Sequence, residues 1–153
     1  MKKEIQKNPA DLYQPLEGVF SSLDKQLEML DSDHCGATAC VAIVRKEGNH
    51  NFLYVANTGD TRAVLSKNGT AERLSKDHKA SDPQEIDRIK ALGGKIMDGR
   101  VAGGLAITRA LGDMAYKNFG VTSQPYVVRH VLRPFDKFLV IASDGVWDTV
   151  TDE

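Results

Sequence analysis

The sequence predicts an α+β domain, mostly antiparallel sheet with helices packed outside it. Three observations carry that prediction. Near one end, Leu16, Val19, Phe20, Leu23, Leu27 and Leu30 recur at three- and four-residue steps, the apolar stripe of a helix face. After Gly36 the pattern changes to alternation in segments rich in β-formers. Two short turn signals, Asn68-Gly69 and Asp98-Gly99, then sit between strand-like runs, where both residue types tolerate positive φ.

The first helix is expected from Gln14 to Asp31, with Pro15 as its first residue, because an interior proline would break the hydrogen-bond ladder. Asn8-Pro9 reads as an earlier turn. Ala37 to Arg45, Phe52 to Thr58 and Arg62 to Ser66 read as strands, and Ala71 to Leu74 returns from the Asn68-Gly69 hairpin. Asp82-Pro83-Gln84-Glu85 opens a second helix, with an acidic cap, proline at the first position and an acid at the third. Ile86, Ile89 and Leu92 are expected as its buried stripe and Gly93-Gly94 ends it. Lys95 to Met97 and Arg100-Val101 flank the second hairpin signal. Leu105 to Leu111 reads as a short helical turn, and Tyr126 to Leu132 and Lys137 to Ala142 as two further strands. Thr151-Asp152-Glu153 has the look of another helix start.

Composition narrows the function classes. The chain has 153 residues, 41% hydrophobic and 27% charged, which suits one globular domain. Its 20 basic and 21 acidic residues give a net charge of -1, so no bulk positive charge recommends a nucleic-acid partner. The longest apolar run, Ala39 to Val44, falls far short of the roughly 20 residues that span a bilayer. Met1-Lys2-Lys3-Glu4 leads into no apolar signal region, and Cys35 and Cys40 are too few for a disulfide scaffold. The expectation is a cytoplasmic protein, with the nucleus left open, and with neither nucleic acid nor membrane as partner.

Chemistry is most legible at carboxylates that follow apolar strands. Asp60 ends VANTGD after the strand Phe52 to Thr58, Asp144 follows the strand Lys137 to Ala142, and Asp148 lies one helical step beyond Asp144. Carboxylates gathered at strand ends repel unless a proton or a cation sits between them. Hard ions such as Mg²⁺, Mn²⁺ or Ca²⁺ suit oxygen donors of this kind. The competing reading makes the same aspartates turn and cap residues. His34, His50, His78 and His130 show no metal-ligand spacing and read as solvated or turn residues, the polar run Lys76 to Asp82 as a solvated loop, and Ala102-Gly103-Gly104 as a flexible bend.

Six segments in order, GATACVAIV (36–44), VANTGDTRAVL (55–65), LSKDHKASDPQEIDRIKALGG (74–94), RVAGGLAITRALGD (100–113), VTSQPYV (121–127) and IASDGVWD (141–148), resemble the blocks of the metal-dependent protein Ser/Thr phosphatases of type 2C, the PPM family. The resemblance covers roughly residues 14–153. It implies a type 2C phosphatase-like β-sandwich flanked by helices, present here only in part. It also implies Mg²⁺ or Mn²⁺ in a cleft at one end, where metal-activated water hydrolyses phosphoserine and phosphothreonine in proteins. By this resemblance Asp144 is similar to a carboxylate of the second core metal, and Asp60, Asp144 and Asp148 to the set that holds an additional, weaker metal, for which Ca²⁺ is a further candidate. Residues 1–13 then form an N-terminal extension, 14–31 a helix, 36–74 strands, 75–99 a flap-like segment, and 100–153 the remaining strands with the Asp-Gly-x-x-Asp block.

The family's Asp-Gly-His-Gly-Gly and late Gly-x-x-Asp-Asn segments do not occur in these 153 residues, so no catalytic residue is assigned to the chain. Ala80 stands where the family usually has proline, and Ala102-Gly103-Gly104 where Asn-Gly-Ser is common. The readings left open are a phosphatase whose remaining ligands come from another segment or chain, a catalytically dead phosphatase-like module that binds proteins, and a fragment with no function of its own. The expected partner is a phosphoprotein substrate or another protein, with a homodimer through uncovered sheet edges as the expected assembly.

Overall fold

The computed structural model describes residues 11–30 and 33–153. The segment 1–10, with the turn expected at Asn8-Pro9 and most of the expected extension, lies outside the described residues, as does Asp31. Helix α1 spans Tyr13–Glu28, and Pro15 is its third residue, still within the first turn where N–H groups have no helical acceptor. Leu16, Val19 and Phe20 are buried, while Leu23 and, past the helix end, Leu30 are exposed; the second half of the helix is held instead by Asp24, which accepts from the Gly112 N–H and from Lys117 Nζ.

Strands β1 (Gly36–Ala37), β2 (Ala39–Glu47), β3 (His50–Thr58), β4 (Arg62–Lys67) and β5 (Thr70–Arg73) come first in the chain. Helix α2 (Pro83–Ala91), the short strands β6 (Ile96–Met97), β7 (Arg100–Val101) and β8 (Leu111–Gly112), and helix α3 (Met114–Lys117) follow. Strands β9 (Tyr126–Leu132) and β10 (Asp136–Ala142) and helix α4 (Asp144–Trp147) complete the chain. Both predicted hairpins form, β4–β5 around Asn68-Gly69 and β6–β7 around Asp98-Gly99.

Two three-stranded antiparallel sheets, ordered β2-β3-β9 and β10-β4-β5, carry the architecture. Strict alternation along β3 sets the layers. Phe52, Tyr54 and Ala56 pack with Leu12, Leu16 and Phe20 of the helical end. Leu53 and Val55 point the other way, onto Ala63, Leu65 and Leu74 of the second sheet. The result is a sandwich with a helix on one side, as predicted. A third cluster, Ala80, Ile89, Val101, Ala110 and Val121, packs α2 against the irregular stretch 101–121, while Leu92, expected in the same buried stripe, follows the helix end and is exposed.

Three expectations are corrected. Leu105 to Leu111 is extended rather than helical, with Ile107 opposite Lys79 and Arg109 opposite Thr122, because the distant His78, Ala80 and Thr122 supply its backbone partners. Ala102-Gly103-Gly104 is a tight turn whose N–H groups donate to Lys95, Arg100 and Val101 carbonyls. Thr151-Asp152-Glu153 forms no helix; Asp152 is tied to Arg62 and Arg73 instead.

Candidate functional site

Strand register brings the predicted carboxylates to one end of the sandwich. β10 pairs antiparallel with β4, with Ala142 opposite Arg62. Asp144, two residues beyond Ala142, and Asp60, two residues before Arg62, therefore leave the same end of that pair. Gly59, at φ +87°, makes the turn that delivers Asp60, and a Cβ there would lie 2.3 Å from the Thr38 methyl. Asp144 opens α4, and the Asp148 N–H donates to the Asp144 carbonyl at 2.8 Å, so one helical step separates them as the spacing suggested.

Between Asp60 and Asp148 stands an ammonium. Lys79 Nζ lies 3.6 Å from Asp60 Oδ2 and 3.5 Å from Asp148 Oδ1. Burial holds the Asp60 carboxyl above its usual range, with Asp144 and Asp77 adding to that push and the Lys79 charge opposing it. Among the described residues no group of three His, Cys, Asp or Glu side chains is set to hold a metal ion. The donors present suit a hard divalent cation in kind, being carboxylate oxygens around a positive charge, but not in number.

The loop that presents Lys79 is not the solvated segment its composition suggested. His78 is fully buried: its N–H donates to the Gly59 carbonyl at 3.0 Å, its Nδ1 lies 3.1 Å from the same oxygen, and its Nε2 is buried without a partner. Burial, reinforced by Arg109, pushes the His78 pKa down to about 4, so the ring is neutral. Asn57, also buried, donates from Nδ2 to the Lys76 carbonyl at 2.7 Å and accepts from the Lys76 N–H at 3.1 Å. His130 is likewise no solvated residue, since its Nε2 lies 3.0 Å from Asp136 Oδ2, whereas His34 and His50 are exposed as expected.

Arg62 ties this loop to the chain's other end. It donates from Nε and Nη2 to the two carboxylate oxygens of Asp77 and from Nη1 to Asp152 at 2.6 Å. Its guanidinium lies over the Trp147 ring at 5.3 Å, and Trp147 Nε1 donates to the Ala142 carbonyl.

A second buried charge cluster holds α2 in place, and sequence reading saw it only as a helix-start acid. Glu85 is buried and accepts from Arg88, Arg109 and the Thr108 hydroxyl. Burial raises a carboxyl's pKa, but these three donors outweigh it and hold Glu85 well below the usual range. The legible signal for Lys79 was its place in a charged run three residues after Lys76, on the chain next to the strand end that carries Asp60; spacing alone gave no reason to aim it there.

Residues 3–153 match the family described as Protein phosphatase 2C. The chain is 46% identical over 125 residues to Protein phosphatase 2C homolog 1 of Schizosaccharomyces pombe, covering 80% of this chain and 36% of that protein. A solved structure of a Caenorhabditis elegans sex determining protein superposes with a TM-score of 0.83 at 25% identity, over 96% of this chain and 38% of that one. The serine-threonine phosphatase 2C of Toxoplasma gondii superposes with a TM-score of 0.76 at 25% identity, over 92% and 51%. The chain spans 25% to 55% of the length of the curated relatives compared with it. With the ordered sequence blocks, the sandwich and the family match over nearly its whole length, the chain belongs to the protein phosphatase 2C family.

Proposed function

We propose that these residues serve a metal-dependent protein serine/threonine phosphatase, acting on phosphoserine and phosphothreonine in proteins, and that the 153 residues alone do not turn over phosphoester. The single observation that carries this reading is the family match over residues 3–153. Asp60, Asp144 and Asp148 are proposed as donors to Mg²⁺ or Mn²⁺, with Ca²⁺ as an alternative guest. A bound divalent metal supplies an activated water and offsets phosphate charge. The chain's own part is to supply oxygen donors at the sheet end and to hold them through Gly59, α4 and the Lys79 loop.

The proposed partner is a phosphoprotein, and the proposed assembly a homodimer through open sheet edges. A cytoplasmic location is proposed on the free thiols, Cys35 exposed and Cys40 half-buried, which suit a reducing compartment. No helix among the described residues is long and apolar enough to cross a membrane. The alternative of a catalytically dead, protein-binding module is favoured by the small number of donors gathered here.

Hydrolysis of p-nitrophenyl phosphate and of a phosphothreonine peptide, with and without Mn²⁺, tests the reading. The chain is expected to match the metal-free blank. Mn²⁺-dependent turnover lost in Asp144→Ala would overturn the claim that the isolated residues are inactive.

A further inference from the structure

The end of the sandwich away from Asp60 is basic. β3 runs toward Asp60, so its first residues lie at the opposite end, where Asn51 pairs with Leu132 of β9. β4 starts beside Asp60 and ends at Lys67, which pairs with Thr70 across the Asn68-Gly69 turn and with Asp136 of β10. Residues 45–50, 66–69 and 129–137 gather at this end and hold six lysines or arginines against two acids, in a chain of net charge -1. Lys67, Arg129, His130, Val131 and Arg133 line a groove of about 300 Å³ here, and no acid lines it. The groove is held in shape from below. The buried Asp136 side chain accepts from the Arg133 N–H at 2.9 Å and lies 3.0 Å from His130 Nε2, and the Asn68 N–H donates to the Phe135 carbonyl. Arg129 donates from Nη2 to Glu47, with its guanidinium 3.5 Å from the centre of the Phe52 ring. Arg133 is exposed, lies over the Phe135 ring and, among the described residues, pairs with no carboxylate.

β9 is also an edge. It stands last in the order β2-β3-β9, so one row of its backbone N–H and C=O groups has no strand partner among the described residues. Such a row is a template for another extended segment. The cations beside it select the segment. A second β9 would bring Arg129 and Arg133 against the same charges, whereas a segment carrying carboxylates meets them with opposite charge. We propose that the groove along β9 docks an extended acidic segment of a partner protein, which adds to this edge as a strand and sets its Asp or Glu side chains against Arg129, Arg133 and Lys67. Arg129 and Val131 share one face of β9, and Arg133 follows at the same two-residue step. One face of the added strand therefore meets two guanidinium groups with an apolar side chain between them. The groove lies at the opposite end from Asp60, Asp144 and Asp148, so this docking is independent of any metal.

Fluorescence anisotropy of a labelled octapeptide of alternating Glu and Thr tests this on the 153-residue chain at low salt, using wild type, Arg133→Gln, Arg133→Glu and Lys95→Glu. Lys95 is exposed and outside the groove, so its reversal changes the net charge by the same amount as Arg133→Glu. Arg133→Glu is expected to weaken binding about tenfold, the scale of reversing one charge a few ångströms from a carboxylate near the surface. Arg133→Gln is expected to lose less, and Lys95→Glu to stay within about twofold of wild type, its charge being screened at that distance. Both Arg133 variants are expected to keep the wild-type circular dichroism, because Arg133 is exposed and unpaired. The same peptide N-methylated at every residue keeps its charges but cannot donate to a strand edge, and is expected to bind more weakly. Equal losses in Arg133→Glu and Lys95→Glu would reduce the effect to bulk charge and overturn the proposal. Equal binding of the N-methylated peptide overturns strand addition. An oligothymidylate of equal charge that binds more tightly than the peptide overturns the choice of a protein segment, and no peptide binding at millimolar concentration overturns the site itself.

Discussion

Arg62 grips Asp77 with two parallel hydrogen bonds, Nε to Oδ1 at 3.2 Å and Nη2 to Oδ2 at 2.7 Å. The pair joins the first residue of β4 to the loop that carries His78 and Lys79, and both side chains are largely buried. Because Arg62 also holds Asp152, removing it leaves both carboxylates to the more exposed Arg73 alone, 2.7 Å from Asp152 and 3.9 Å from Asp77. Arg62→Met is therefore expected to destabilise the fold by about 3 kcal/mol, the range for breaking one side of a buried pair. Asp77→Asn, which leaves Asp152 on Arg62, is expected to be milder. Urea unfolding of the two variants against wild type measures both, and equal losses would show that Asp152 contributes nothing to the network.

Two buried groups contribute to the response to acid in separate pH ranges. His78 has a folded pKa of about 4 against an ordinary value of 6.5, so the unfolded chain takes up its proton first. Its contribution is complete above pH 6.5 and lost as pH falls toward about 4, on the order of 3 kcal/mol in all. Glu85 has a depressed folded pKa, so its contribution is present above the ordinary value of 4.5 and is lost only below it. Urea midpoints are expected to fall first between pH 6.5 and 4.5, then again below that. His78→Asn should flatten the first slope and leave the second; Glu85→Gln should do the reverse.

Much of this arrangement was legible from the sequence, and the rest was hidden for a definite reason. Alternation in Phe52 to Thr58 gave the two-faced central strand, and Asn68-Gly69 gave its neighbouring hairpin, because both are local signals. Three-residue apolar spacing makes Leu105 to Leu111 look helical, whereas the bonds that keep it extended come from His78, Ala80 and Thr122. His78 looks solvated because it sits in the polar run Lys76 to Asp82, whereas the carbonyl that its backbone and ring both meet belongs to Gly59, 19 residues away. Glu85 was seen as a helix-start acid because its main partner, Arg109, lies 24 residues on. Asp60, Asp144 and Asp148 could be chosen from strand ends, but the ammonium placed among them could not.

The adjacent glycines that end α2 do different jobs. Gly93 sits at φ +83° with open space around the position of a Cβ, so Gly93→Ala meets only backbone strain, about 1 kcal/mol. At Gly94 a Cβ would lie 2.0 Å from the Phe119 carbonyl oxygen and 2.9 Å from an Ile89 methyl. Backbone cannot move aside as a side chain can, so Gly94→Ala is expected to destabilise by about 3 kcal/mol or more. Thermal melts of the two variants provide the comparison. Equal shifts would mean that the contact of α2 with residue 119 is not tight in solution.

Assembly follows from where the helix does and does not lie. α1 and the preceding Leu12 cover one face of β2-β3-β9 through Leu12, Leu16 and Phe20, which leaves the helix away from β10-β4-β5. β10 is an edge strand of the second sheet, yet its run Phe138-Leu139-Val140-Ile141 is apolar throughout, the composition of a strand covered on both faces. Phe138 is 62% exposed and Val140 and Ile141 are each 40% exposed. An open edge with apolar side chains is a template for another strand, and a two-fold pair of the same edges closes on itself. The chain is therefore expected to run at twice its mass of 16.8 kDa in size exclusion with light scattering at micromolar concentration. Ile141→Lys is expected to return it to a single chain without loss of circular dichroism, because a charge on the edge strand blocks pairing. A single-chain mass for the wild type, or a dimer that survives Ile141→Lys, would remove β10 as the pairing edge.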